Sequence, residues 1–298
     1  MVPTNGTAVL RSIHRDVVNL ECVDEKGPFF VSLTRNPEDF TELAIQLSWQ
    51  DWQLIQAALP KRDTPIVYGT LLKNAPQFTA QSGSTVHRHF ERLQTSVETE
   101  LIPALTTRFY ILPGMLPLVL ESRETLIQDK NTDPFVRRAA QILTEIEHDG
   151  NGQYDLASLV GLGIGFTPSG DDFIAGACSV EPFLTKTGTG AFTGVDRTGL
   201  ERSLGRTTTG GATLLRLVLN GTPPAYIDNL LTSLFAGEAA AVIQIAARHG
   251  HSSGYDTLAG IIWRIRMHNT RMHNTRMHNK PKNGILISRD NAPNKNSG

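Results

Sequence analysis

Cysteine is nearly absent. Cys22 and Cys178 are the only two in 298 residues, and neither has a metal-ligand spacing. A disulfide framework is excluded, and the usage fits a reducing compartment. Charge of one sign is also missing: 28 Lys and Arg stand against 29 Asp and Glu, a net of −1. That balance removes the basic surplus that binding a nucleic-acid backbone requires. No apolar run reaches membrane-spanning length, and Met1 to Leu10 lacks the apolar core of a secretory leader. A cytoplasmic protein with neither a membrane nor a nucleic-acid partner is expected. What is present is a 40% hydrophobic composition with 19% charged residues, enough for a buried core rather than a disordered chain.

The periodicity changes along the chain, and an α+β fold is expected. Residues 7–34 alternate strand formers around a turn at Asp24-Glu25-Lys26-Gly27, and Pro65 to Leu72 reads as a further strand. A helix-like spacing covers Asp39 to Leu59. Residues 1–85 are therefore expected to form a β-rich domain, a small barrel-like or sandwich sheet. The polar stretch Gln81-Ser-Gly-Ser-Thr85 marks its boundary. Residues 86–266 form a mainly helical domain. Val86, Phe90, Leu93, Val97 and Leu101 share one helix face. Pro134 to Glu147 is capped by Asp133, with Phe135, Val136, Ala139, Ile142, Leu143 and Ile146 inward, and Gly150-Asn-Gly152 stops it. Lys186 to Gly199 reads as an exposed loop. Helices are expected after Thr207–Thr213, over Tyr226–Phe235, Glu238–Arg248 and Tyr255–Ile265. From Arg266 the unit Arg-Met-His-Asn-Thr recurs, with the third copy ending in Lys280; residues 267–298 are expected to be a disordered low-complexity tail.

The helical half is organised around Gly161-Leu-Gly-Ile-Gly-Phe-Thr-Pro-Ser-Gly-Asp-Asp-Phe-Ile-Ala-Gly176. Alternating glycines let a loop turn tightly and expose N–H groups, and the loop feeds a helix start, a ready anion site. The spacing matches no nucleotide fingerprint, so no nucleotide cofactor is expected. A second stretch, Ser253-Gly-Tyr-Asp-Thr-Leu-Ala-Gly260, repeats Ser-Gly-x-Asp-x-(Ile/Leu)-Ala-Gly. One reading makes Ser169, Asp172, Ser253 and Asp256 helix caps, with each Ala-Gly letting its helix pack closely. The other points both helix starts into one cleft that binds a small anion. In that case Gly163, Gly165, Thr167, Ser169 and Gly170 cradle it, with Ser252, Ser253, Asp256 and Thr208 as further contacts. Asp171, Asp172 and His251 are then the candidates for chemistry, with His251 either a donor to an oxyanion or carbonyl or simply a loop histidine. Adjacent carboxylates also need solvent, a cation or a hydrogen-bond donor nearby, and Asp171 and Asp172 are candidates for holding Mg²⁺. Arg202, Arg206 and Arg216 flank the threonine-rich segment, where one can clamp a carboxylate.

These residues resemble the AllH-type family, associated with a subunit of oxamate carbamoyltransferase in anaerobic allantoin degradation. The family loop Gly-x-Gly-Pro-Gly-Leu-Thr-Pro-Ser-x-Asp-Asp corresponds to Gly161, Gly163, Gly165, Thr167, Pro168, Ser169, Asp171 and Asp172. Ile164 replaces the usual proline and Phe166 the usual leucine. Gly250 to Gly260 matches Gly-His-(Ser/Thr)-Ser-Gly-x-Asp-x-Leu-x-Gly, and Val18-Asn19-Leu20 matches a weaker early motif. The resemblance spans roughly residues 7–265. It implies carbamoyl transfer between carbamoyl phosphate and oxamate, giving oxalurate and phosphate or the reverse, within a hetero-oligomer of partner subunits. The competing classes are a non-catalytic assembly subunit and a Mg²⁺-dependent enzyme acting on another small carboxylate or phosphate.

Overall fold

The computed structural model describes residues 7–25, 27–37, 41, 43–58, 62–63, 65–67, 90–148, 153–184 and 194–278. Strands β1 (Thr7–Ile13), β2 (Val17–Asp24), β3 (Gly27–Thr34), β4 (Ala44–Gln46) and β5 (Pro65–Val67) form one sheet in the order β4-β3-β2-β1-β5. β1 to β3 are an antiparallel meander. β5 adds antiparallel to β1, and β4 adds parallel to β3. The expected barrel or sandwich is corrected: among the described residues the sheet is single and open. Its two described edge strands, β4 and β5, are three residues each and do not pair with one another, so the ladder does not close.

Alternation gives the sheet two different faces. Val18, Leu20, Cys22, Phe29, Val31 and Leu33 pack with the buried Trp52 of helix α1 (Trp49–Ala58). On the other face Asn19 donates to Ser12 Oγ at 2.9 Å and accepts from Ser32 Oγ at 2.7 Å, a polar ladder across three strands. Phe30 lies on that same face and meets the helical half. Its ring sits 4.8 Å from that of Phe166, and its N–H donates to Thr213 Oγ1 at 3.0 Å.

The helical half begins with α2 (Phe90–Thr95), a π-helical turn (Ser96–Leu101) and α3 (Ile102–Arg108), which bury Leu93, Val97, Leu101 and Leu105. Short α4 (Pro117–Leu120) and α5 (Arg123–Gln128) lead to α6 (Pro134–His148). Asp133 Oδ1 caps α6, accepting from Phe135 N at 2.8 Å. Phe135 itself stays 36% exposed, while Ala140 joins the inward stripe. Next come α7 (Ser169–Leu184), α8 (Arg197–Ser203), α9 (Thr209–Leu219), α10 (Ala225–Ala236), α11 (Ala239–Arg248) and α12 (Ser253–His278). α7 is buried on every side from Gly170 to Glu181, as befits the central helix of the core.

Further expectations change: within the helix-like stretch Asp39 to Leu59, Ala44–Gln46 is β4 and the helix starts at Trp49, and α9 starts at Thr209, inside the threonine-rich segment. The loop expected up to Gly199 ends sooner, because Val195 is buried, bridges Tyr154, and Asp196 caps α8. The last helix does not stop at Ile265 but continues through the repeat to His278. No residue between Arg266 and His278 is a proline or glycine, so nothing in that stretch interrupts a helix already nucleated. Gln81–Thr85, Gly150-Asn-Gly152 and the tail beyond His278 lie outside the described residues. No described helix is long and apolar enough to cross a membrane.

Candidate functional site

The two Ser-Gly-x-Asp-x-(Ile/Leu)-Ala-Gly segments start α7 and α12, and the fold sets them against each other. A Cβ on Gly176 would lie 2.0 Å from the Thr257 carbonyl, and one on Gly260 would lie 1.9 Å from the Phe173 carbonyl. These contacts are reciprocal: Gly176 and Gly260 hold the same place in the repeated pattern, as do Phe173 and Thr257. Toward the N-termini Asp172 faces Ser253, and Asp256 faces Ser169. Toward the C-terminal side Glu181 pairs with Arg264. Contacts in the same order along both helices make α7 and α12 parallel, with their N-termini at one end. The repeated Asp thus reaches across to the neighbouring helix instead of closing a box on its own.

Three carboxylates are buried at this end: Asp171, Asp172 and Asp256. Asp171 Oδ1 accepts from Gly161 N at 2.9 Å, and its Oδ2 accepts from the Thr207 hydroxyl. Asp172 Oδ2 accepts from Thr167 Oγ1 at 3.1 Å, and Thr167 Oγ1 lies 3.3 Å from Ser253 Oγ. Asp256 Oδ1 accepts from Met115 N at 2.6 Å, and Ser252 also faces this carboxylate. The glycine loop is therefore strung between its own helix, the α9 start and the α12 start. Gly161, Gly163 and Gly165 all have positive φ. Gly163 has no room for a side chain, since a Cβ there would meet Ser169 N at 2.8 Å. Gly170 is buried and donates its N–H to the Leu162 carbonyl at 2.8 Å. Thr208 caps α9, accepting from Gly211 N at 3.0 Å, and donates to the Phe166 carbonyl at 2.6 Å. His251 is exposed on the turn before α12, with Ser252 half-buried beside it.

Burial raises all three acids. Asp171 is pushed up to about 6 against the pull of Thr207 and the Gly161 amide. Asp256 is likewise raised to about 6 by burial, opposed by the Met115 amide and the Ser169 and Ser252 hydroxyls. Asp172 goes well above the carboxylate range, first through burial and then through the charges of Asp256 and Asp171. A carboxyl raised in this way keeps a proton that the unfolded chain has already lost. Its contribution is greatest below the ordinary carboxylate value and declines as pH rises through about 6 and beyond. Urea unfolding between about pH 5 and about pH 8 is expected to show that decline, reduced in Asp172→Asn. An identical pH profile in the variant would show that the Asp172 carboxyl stays charged in the fold.

Among the described residues no three His, Cys, Asp or Glu side chains are grouped to hold a metal ion. Both oxygens of Asp171 are already taken by donors.

Residues 159–265 match the family model described as oxamate carbamoyltransferase subunit AllH.

The AllH match begins just before Gly161, ends on α12, and holds both helix starts together with the Thr207–Thr209 segment. It is narrower than the resemblance over residues 7–265. The sheet with Val18-Asn19-Leu20, and the helices before α7, lie outside it. No curated protein and no solved structure matches the chain. Sequence reasoning missed Met115, whose N–H holds Asp256, and Thr207, which holds Asp171. Neither has a local signal: each partner is distant along the chain.

Proposed function

We propose that the chain is a subunit of an oxamate-carbamoyltransferase-like enzyme, acting in a hetero-oligomer on small anions. The observation that carries this reading is the AllH match, which falls on the segment where both helix starts and the glycine loop converge. In the reaction the amide nitrogen of oxamate attacks the carbamoyl carbon. The bond from that carbon to the phosphate oxygen breaks, and the nitrogen loses a proton. Oxalurate and phosphate leave. Backbone N–H groups of Gly163 and Gly165 suit the phosphoryl end, and His251 and Ser252 suit the developing oxyanion. Asp171 acts as a positioning residue, holding the loop at Gly161 and the α9 segment at Thr207. Asp171→Asn puts an amide NH₂ where one of the two donors, the Gly161 N–H or the Thr207 hydroxyl, now points. Turnover by the assembled complex should fall about 100-fold or more while circular dichroism stays unchanged. Unaltered turnover would remove Asp171 from the mechanism.

The burial of Asp171, Asp172 and Asp256 favours a second reading, a non-catalytic assembly subunit in which these acids only brace the fold. Equilibrium dialysis of the full chain against carbamoyl phosphate separates the two, since binding is expected only of a substrate-handling subunit.

A further inference from the structure

Beside the threonine-rich segment lies a cavity of about 610 Å³. It is walled by Pro28 of the β2–β3 hairpin, Glu201 of α8, Thr207, Thr208 and Thr209 at the start of α9, and Arg216 farther along that helix. None of Gly163, Gly165, Ser169, His251 or Ser252 lines it. Among the described residues its wall carries one cation, Arg216, one anion, Glu201, and the three threonines 207–209. Arg216 Nη1 donates to the Pro28 carbonyl at 2.8 Å, which pins the guanidinium in the wall where sheet and helices meet. Thr208, which holds the Phe166 carbonyl, links the cavity directly to the glycine loop.

We propose that this cavity binds a small ligand with anionic oxygens at one end and an amide N–H at the other, Arg216 reading the anion and Glu201 the N–H. A guanidinium is suited to a planar carboxylate, and a carboxylate accepts from an amide N–H with comparable directionality. A wall with both charges selects a ligand with both features over a symmetric dianion, because the dianion leaves Glu201 facing a like charge. The choice of oxamate as the simplest such ligand rests on the carbamoyl-transfer reading; the charge pattern does not.

Calorimetric titration of the full chain with oxamate, oxalate and inorganic phosphate tests the assignment. Oxamate should bind best. Arg216→Ala should weaken both oxamate and oxalate by about tenfold or more. Glu201→Ala should weaken oxamate alone and leave oxalate unchanged or tighter. Arg216→Lys, which keeps the charge, should retain part of the affinity and guards against a variant that misfolds. Oxamate affinity unmoved by either alanine variant overturns the proposal. So does phosphate binding that depends on Arg216 while oxamate binding does not, or a wild-type chain that binds no oxamate alone or in its assembled complex. The two readings fail separately. Turnover with unchanged KM in the Arg216→Ala complex removes the cavity and leaves carbamoyl transfer standing. A wild-type complex that binds oxamate at Arg216 but transfers no carbamoyl group removes the transfer and leaves the cavity.

Discussion

Gly260→Ala should destabilise the protein by about 3 kcal/mol or more and lower the melting temperature by roughly 6 to 10 °C. The added methyl would lie 1.9 Å from the Phe173 carbonyl oxygen, and that oxygen belongs to backbone in the middle of α7. It cannot swing aside as a side chain can. Relief requires α7 and α12 to move apart, and these helices carry the largest part of the core, including Phe173, Ile174, Leu258 and Ile262. Gly176→Ala should act alike through the Thr257 carbonyl, and the two changes should not add, because both widen one crossing. Gly205→Ala is the control. No neighbouring atom lies within 4 Å of its Cβ position, so its effect should stay within about 0.5 kcal/mol. Thermal unfolding of the three variants decides the matter. A Gly260→Ala protein as stable as the control would mean that the two helices do not touch there.

The second large effect is expected at Arg264. This side chain is fully buried, paired with Glu181, and stacked over Tyr154 with Cζ 5.3 Å from the ring centroid. Arg264→Ala leaves the Glu181 carboxylate in the core without its countercharge and removes the face against Tyr154. A loss of about 3 to 5 kcal/mol is expected. Replacing both members together, Arg264→Met with Glu181→Leu, should cost clearly less, because the penalty arises from the orphaned charge more than from the lost attraction. Denaturant unfolding of the single and double variants gives the comparison. A double variant as damaged as Arg264→Ala would show that the pair contributes chiefly by shape.

How far these features were legible follows from the range of the interactions. The helix starts at Ser169 and Ser253 were readable because hydroxyl, glycine and carboxylate within a few residues are local signals. The Ala-Gly steps likewise announced close packing before the partner was known. What could not be read was the exchange between the two: Asp172 faces Ser253 and Asp256 faces Ser169 across a long stretch of chain. Alternation placed the strands, yet whether their sheet closes depends on whether its outermost members pair, and composition does not reveal that. Phe135 fitted the inward spacing of α6 but is only partly covered at its first turn, at the margin of the core. The arginines near the threonine segment were visible as a group. Only Arg216 among them lines the cavity, where it is held by the Pro28 carbonyl of the β2–β3 hairpin, far upstream.

The passage of α12 through the pentapeptide units has a geometric corollary. Five residues on an α-helix rise about 7.5 Å and turn roughly 140° past a full revolution. A gene that gained or dropped one unit by replication slippage would lengthen or shorten this rod by that step and swivel its tip by that angle. The packed segment, which runs on through Met267 and His268 of the first unit, would be untouched. Copy number is thus a dial on reach and heading that evolution can turn without reopening the interior.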